Sequence, residues 1–416
     1  MTLLAVFVVL LFLYSLLSAR LARTVVTPPM VFTAAGVGVF LLQGRVPAWE
    51  GDREVFLRIA EVGLVLLLFT DASRTDLKVL NDIRGLSTRL LTTGLLLTIL
   101  LGALAALVLF RRLSIWEAGI VGAVLAPTDA GLGQVIVNSP RVPVKIRQAL
   151  NVEAGLNDGL AVPFLLFFIA LTGTGSVAED ARLGRLILEQ LGYGAVAGAG
   201  IGLAGGWLLG LARRREWIAE PFLQIGVVVL PLLCGLTSEA AAASMFIAAF
   251  VAGLAVQAGF REAGKHSVEF AEAWGQFFNL SVFFLFGLLV ARAWPDFGLA
   301  HVVYAVLSLT VVRMLPVGIA LTGTGLSHAT VLFMGWFGPR GLASIVLGIV
   351  YLEHAPHSGG TDTVRLAVMV TVLISIFAHG LSATPGTNVY NRRLTALDRD
   401  APENRGDARG SAKARI

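Results

Sequence analysis

The stretch Glu153-Ala154-Gly155-Leu156-Asn157-Asp158-Gly159 lies inside an apolar run from about Ile146 to Leu171, and its reading decides what kind of molecule this is. Acids buried in hydrocarbon are costly, so they are rare there and mark function. On a helix, Glu153 and Asn157 are four residues apart and share a face, whereas Glu153 and Asp158 are five apart, roughly 140° around the axis. Two acids on different faces need different partners. Asp158 lies deep in the run, with Ala154, Gly155 and Ala161 near it on its own face, so it is the better exchangeable carboxylate. Glu153 then needs a permanent cation, and Arg340 is expected to supply it, because a guanidinium stays charged and pairs bidentately with carboxylates.

The rest of the chain matches this setting. Of 416 residues, 56% are hydrophobic and only 14% charged, and the mean hydropathy is +0.79. That is too apolar for a soluble chain of this length and predicts an all-α polytopic membrane protein. Cutting at polar clusters leaves about thirteen apolar segments of roughly 17 to 25 residues, the length that spans a hydrocarbon core ~30 Å thick. Strict alternation over short windows is absent, which disfavours a barrel. The first segment, Met1 to Leu17, has no basic residue ahead of it and is followed by Arg20 and Arg23, the order of a retained helix with its N-terminus outside rather than a cleaved signal.

The net charge of +5 is not a nucleic-acid signature, because most of the 32 Lys and Arg fall on one side once the segments alternate. That side carries Arg74, Lys78, Arg141, Lys145, Arg147, Arg213, Arg214, Arg215, Arg261, Lys265 and the basic residues of the tail. By the positive-inside rule it is cytoplasmic, so an odd number of spans puts the C-terminus inside. The lone Cys234 falls within a predicted span and allows no intrachain disulfide. Pro28-Pro29 is expected to kink or delay the second span, and the glycines between Gly192 and Gly206 to let the seventh pack closely on a neighbour. From Asn391 onward the chain turns polar and charged, so residues 391–416 are expected to form a disordered cytosolic tail.

Two further spans carry breaks. Ala126-Pro127-Thr128-Asp129 interrupts the fifth and Gly338-Pro339-Arg340-Gly341 the twelfth, since proline removes a backbone donor and biases its predecessor away from helix. An unwound segment of this kind exposes carbonyls and helix ends to a cavity, so Thr128 can offer oxygen to a hard cation, and Asp129 can neutralise a helix N-terminus or join the ion's field. Breaks in corresponding positions of two six-helix halves, separated by the seventh span, predict an inverted repeat. Asp71 at the inner end of the third span is either a further charge of the site or an i,i+3 partner of Arg74. Arg313 lies within the eleventh span, where Asp129 or a helix end would balance it, and His379 in Ala378-His379-Gly380 is read as packing rather than as a pH sensor.

With these residues in place the chain resembles the NhaP/NHE-type monovalent cation/proton antiporters. The resemblance rests on Ala126-Pro127-Thr128-Asp129, Glu153 through Asp158, Phe337-Gly338-Pro339-Arg340-Gly341 and His379-Gly380-Leu381-Ser382, and it covers nearly everything but the tail. It implies an NhaA-like fold with two inverted six-helix repeats and two crossed, broken helices, in a homodimer whose scaffold stays fixed while a core moves as an elevator. A membrane domain over 1–390 would then divide into scaffold helices at roughly 1–84 and 183–295 and core helices at roughly 85–182 and 296–390. The family's Asn-Asp pair falls on Asn157 and Asp158, its transport threonine on Thr128, and its stabilising Glu-Arg pair on Glu153 and Arg340. Asn157 implies electroneutral exchange. Two positions depart from the family: Ala154 where several prokaryotic members have serine, and Phe69-Thr70-Asp71-Ala72 where many have Glu-Gly-Gly after the phenylalanine.

The function expected is exchange of a monovalent cation (Na+ first, Li+ or K+ as alternatives) for a proton across the cell (inner or plasma) membrane. Asp158, Thr128, Asn157, Asp129 and Asp71 would form the site, with Asp158 and Thr128 holding the cation. No cofactor is expected beyond the transported ions, and no partner beyond the bilayer and a second copy. The rivals are a channel or a proton-coupled transporter of another solute, and an intramembrane hydrolase using paired acids. The last lacks its motifs: Gly-x-Gly-Asp, His-Glu-x-x-His and Gly-x-Ser-x-Gly are all missing, so no enzyme is expected.

Overall fold

The computed structural model describes residues 3–22, 24–43, 49–74, 84–137, 139–172, 177–241, 243–260, 267–354, 359–396 and 402–403. Among them there is no strand. The helices in chain order are α1 (Leu3–Leu21), α2 (Pro28–Gln43), α3 (Trp49–Arg74), α4 (Arg84–Arg89), α5 (Leu95–Leu109), α6 (Ile115–Val124), α7 (Ala130–Val137), α8 (Val144–Thr172) and α9 (Val177–Arg214). There follow α10 (Glu220–Ala240), α11 (Met245–Gly259), α12 (Ser267–Ala293), α13 (Leu299–Leu309), α14 (Val311–Ala320), α15 (His328–Trp336), α16 (Leu342–His354) and α17 (Thr361–Leu394). A π-helical turn, Leu90–Gly94, joins α4 to α5. Among the described residues eight helical stretches are long and apolar enough to cross a membrane, and four apolar helices are shorter.

The prolines act where the sequence places them, with one refinement. Pro28 and Pro29 open α2 rather than kink it, since the first helical positions need no backbone donor. Pro127 and Pro339 do break their spans: α6 stops at Val124 and α7 resumes at Ala130, while α15 stops at Trp336 and α16 resumes at Leu342. The glycines of the seventh span do what small residues do at a helix crossing. A Cβ at Gly198, Gly202 or Gly206 of α9 would strike the carbonyl of Ala248, Ala252 or Val256 of α11, so the two backbones lie against each other.

Buried side chains of α3, α6, α8, α12, α16 and α17, among them Phe69, Val124, Leu165, Phe284, Val346 and Val372, join one continuous core. Around it, α1 turns Leu4, Phe12 and Leu16 outward, an apolar surface suited to lipid rather than water.

The expectation that the chain turns into a solvated tail at Asn391 is corrected over its first stretch. Helix α17 continues to Leu394, which is buried with Tyr390. Glu403 is also buried: its Oε1 accepts from the Ser327 amide at 2.7 Å and from Thr330 Oγ1 at 2.9 Å. The reason is chemical. The amide of Ser327, the residue that caps α15, has no partner within the helix, and the carboxylate satisfies it. Residues 404–416 of the expected tail lie outside the described residues, as do Lys78, Arg261 and Lys265 and the side chain of Arg74.

Candidate functional site

Helices α6, α7, α15 and α16 bring two chain breaks together. The join is direct, since the Asp129 amide donates to Pro339 O at 2.8 Å. Two half-helices therefore begin here, α7 and α16, and two end here, α6 and α15. Each beginning presents unpaired amides and each end unpaired carbonyls, so buried compensation of both signs is required.

Asp129 serves both beginnings. Its Oδ1 accepts from Leu132 N in the first turn of α7 at 3.0 Å, and its Oδ2 accepts from Leu342 N, the first residue of α16, at 2.6 Å. A Cβ at Gly341 would land on Oδ2, so glycine there lets the carboxylate approach the amides. Of the two roles open to Asp129 from sequence, its contacts are those of a helix-end neutraliser.

Arg340 serves an end. Its NH1 donates to Ala126 O at 2.6 Å and Pro127 O at 2.9 Å, the carbonyls freed where α6 stops. Its backbone amide donates to Ser375 Oγ of α17 at 2.6 Å. The expected Glu153–Arg340 ion pair is thereby corrected. Glu153 Oε1 instead accepts from Arg313 NH1 of α14 at 2.6 Å, with both side chains 3% exposed. Both arginines are buried within the same region, and the one nearer the freed carbonyls is spent on them. Arg313 also lies against Gly338, where α15 ends. The sequence offered an eleventh-span arginine in need of a partner, but not its register with Glu153.

On α8, the Asn157 amide nitrogen donates to Thr128 Oγ1 at 2.7 Å, which joins the first break to the helix of the opening stretch. The Asn157 and Asp158 side chains are buried, and neither Asn157 Oδ1 nor Asp158 Oδ1 has a hydrogen-bond partner. The charged groups acting on Asp158 are Asp129, Asp71 and Arg340. Asp71 of α3 reaches α8 at Gly155, where its Cβ would lie 3.4 Å from an added methyl. Asp71 is thus on the side of the site, whereas the alternative pairing with Arg74 falls outside the described side chains.

A cavity of ≈ 20 Å³ borders the break, lined by Thr128, Asp129, Glu153, Ala154, Phe337 and Pro339 among others. It holds about one water-sized particle. Ala154 faces it with a methyl where a serine would have offered a hydroxyl. The cavity reaches Thr128 but is not lined by Asn157 or Asp158. Asn157 Oδ1 and Asp158 Oδ1 are two buried oxygens of α8 without a partner, and hard oxygen donors of this kind suit a monovalent cation or a proton and not a soft transition metal.

His379, read from sequence as packing, stands at the second break. Its Nε2 lies 2.9 Å from Trp336 O at the end of α15, and its Nδ1 lies 3.1 Å from Ser375 Oγ. Sequence reasoning gave no role to Ser375, because a lone serine in a span carries no signal until its partners are known.

Comparison with known proteins agrees with this geometry. The chain is 24% identical over 396 residues to the K(+)/H(+) antiporter NhaP2 of Shewanella sp. (strain MR-4), covering 92% of this chain and 67% of that one. It is 28% identical over 264 residues to a probable Na(+)/H(+) antiporter of Schizosaccharomyces pombe, covering 58% of this chain and 34% of the relative. It thus spans about a third of the length of that yeast relative, and 39% of a Zygosaccharomyces rouxii Na(+)/H(+) antiporter. In fold it is similar to the sodium proton antiporter MjNhaP1 from Methanocaldococcus jannaschii at pH 8, with a TM-score of 0.76 at 19% identity over 93% of this chain and 98% of that one. Residues 6–388 match the family described as "Sodium/hydrogen exchanger, transmembrane". With the two breaks joined at Asp129 and Pro339 and the first of them bonded to Asn157 of α8, the chain belongs to the sodium/hydrogen exchanger family of multi-pass membrane proteins.

Proposed function

We propose that this chain exchanges a monovalent cation for a proton, with Asp158 as the carboxylate that takes the two in turn. The observation that carries the reading is the buried Asp158 with its unpartnered Oδ1, next to Asn157 and its bond to Thr128. A bare carboxylate in such a place is costly, and either a proton or a dehydrated cation removes the cost. Competition between the two occupants couples their movements in opposite directions. Asn157, where a second acid would add charge, makes the cycle electroneutral in this reading. Na+ is the first candidate, with Li+ and K+ as alternatives; the relatives include proteins named for Na+ and for K+.

The wider reading is a homodimer in the cell membrane with about thirteen spans, its N-terminus outside and its C-terminus in the cytoplasm. Scaffold helices (1–84 and 183–295) would hold still while the core (85–182 and 296–390) moves as an elevator. The neutralised breaks favour this, because a core whose helix ends are satisfied by Asp129 and Arg340 can move as a body. The chain is a transporter in this reading, not an enzyme.

Reconstitution into proteoliposomes with an internal pH dye tests it. Na+, Li+ or K+ outside should drive saturable proton release from acid-loaded vesicles, unaffected by clamping the membrane potential. Asp158→Asn should abolish the signal by more than about a hundredfold while the protein elutes and melts like the wild type. Wild-type rates in Asp158→Asn would remove Asp158 as carrier, and a cation current without proton movement would favour a channel.

A further inference from the structure

The second break is tied to the first by a chain of hydrogen bonds that begins at His379, and neither the site geometry of Asp158 nor the exchange reaction by itself assigns that chain a role. Two carbonyls, which can only accept, face the His379 ring: Trp336 O, the last of α15, at 2.9 Å from Nε2, and Ser375 O at 3.1 Å from Nδ1. His379 Nδ1 faces Ser375 Oγ at 3.1 Å. Ser375 Oγ already accepts the Arg340 amide at 2.6 Å. Whichever nitrogen carries the hydrogen, the ring bridges Ser375 of α17 to the end of α15. The imidazole is 2% exposed and lies against the Trp336 ring with centroids 5.1 Å apart, while Trp336 Nε1 donates to Ser382 Oγ at 2.9 Å.

The same Arg340 continues the chain into the first break through Ala126 O and Pro127 O, next to Thr128. We infer that His379 is a positioning residue of the cation site: as a hydrogen-bond relay through Ser375 and Arg340, it fixes the carbonyls that precede Thr128. It touches neither ion. This rests on the exchange reading above and deepens it, because a relay that sets oxygen positions should govern cation affinity more than turnover.

The experiment uses the full chain in proteoliposomes and reads the half-saturating Na+ concentration and the maximal rate separately. His379→Ala should raise half-saturation by about tenfold, the loss of one to two buried hydrogen bonds, with the maximal rate changed less than twofold. His379→Gln, whose amide reaches the position of Nε2, keeps only the Trp336 contact, and His379→Asn, whose amide reaches the position of Nδ1, keeps only the Ser375 contact, so each should raise half-saturation by about threefold, less than alanine does. Ser375→Ala should shift half-saturation in the same direction, and the double variant His379→Ala/Ser375→Ala should be no worse than the stronger single one. Unchanged half-saturation in both single variants, an effect on maximal rate alone, or multiplying effects in the double variant would overturn the relay. Should His379→Ala fail to fold, the Gln and Asn variants decide between the same outcomes. An inactive wild type would sink the exchange reading and the relay together; an active wild type with indifferent His379 variants sinks the relay alone.

Discussion

Glu153 and Arg313 meet at 2.6 Å in the protein interior, from α8 and from α14, 160 residues apart in sequence. The pair ties the helix of Asp158 to the helix that supports the second break. Removing one partner strands the other charge, which typically costs 3–5 kcal/mol, far more than the net worth of the pair.

The first prediction follows. Glu153→Gln and Arg313→Gln should each lower the thermal melting point of the detergent-solubilised protein, by an amount corresponding to about 3 kcal/mol. The double variant should lose clearly less than the two losses combined. Additive losses would mean that the two side chains act independently.

Asp129 makes a second case, because both of its oxygens accept from helix amides. In Asp129→Asn one of those oxygens becomes an NH2 group, which donates and cannot accept. One half-helix loses its cap, at about 2 kcal/mol for a buried charged hydrogen bond. Gly341→Ala should give a loss of the same kind, since its methyl would occupy the place of Oδ2. Differential scanning fluorimetry on both variants checks this, and a wild-type melting point in either would contradict the double cap.

The Glu403 contact predicts a pH dependence. Burial alone would raise the carboxyl's pKa, but hydrogen bonds from the Ser327 amide and the Thr330 hydroxyl outweigh it and hold Glu403 below the usual glutamate range. A carboxyl whose folded pKa is depressed contributes stability above its unfolded pKa, about 4.3, and loses it as pH falls through the folded value. Glu403→Gln should therefore melt lower than the wild type at pH 7, by the about 1 kcal/mol typical of a weakened hydrogen bond. The gap should close as the pH drops below about 4. A constant gap across that range would show that the charge of Glu403 is not what holds the segment.

The two prolines and the buried Asp158 were legible in the sequence because each is chemically conspicuous in an apolar chain. An acid in a span, or a proline in a helix, is abnormal wherever the chain goes, so it can be picked out without coordinates. Pairing is different. Arg313 and Arg340 are both arginines in spans, and either charge satisfies Glu153 on paper. The choice is made by reach: Arg340 begins at the break itself, where the Ala126 and Pro127 carbonyls claim its guanidinium. Ser375 and Glu403 were illegible for a related reason, since neither departs from its local composition and each acquires a role only from a helix end brought near it.

What the sequence by itself determined was a helical membrane chain, broken twice by proline, with carboxylates inside apolar spans, where a bare charge is costly. Those are properties of composition and of spacing along one helix, and they follow from the cost of bare charge and unpaired backbone in hydrocarbon. Only the tertiary structure decided which cation answers which anion, that Asp129 caps two half-helices at once, and that His379 closes the end of α15. A hydrogen bond or ion pair depends on ångström-scale distance between residues far apart in sequence, and the packing of helices alone sets that distance.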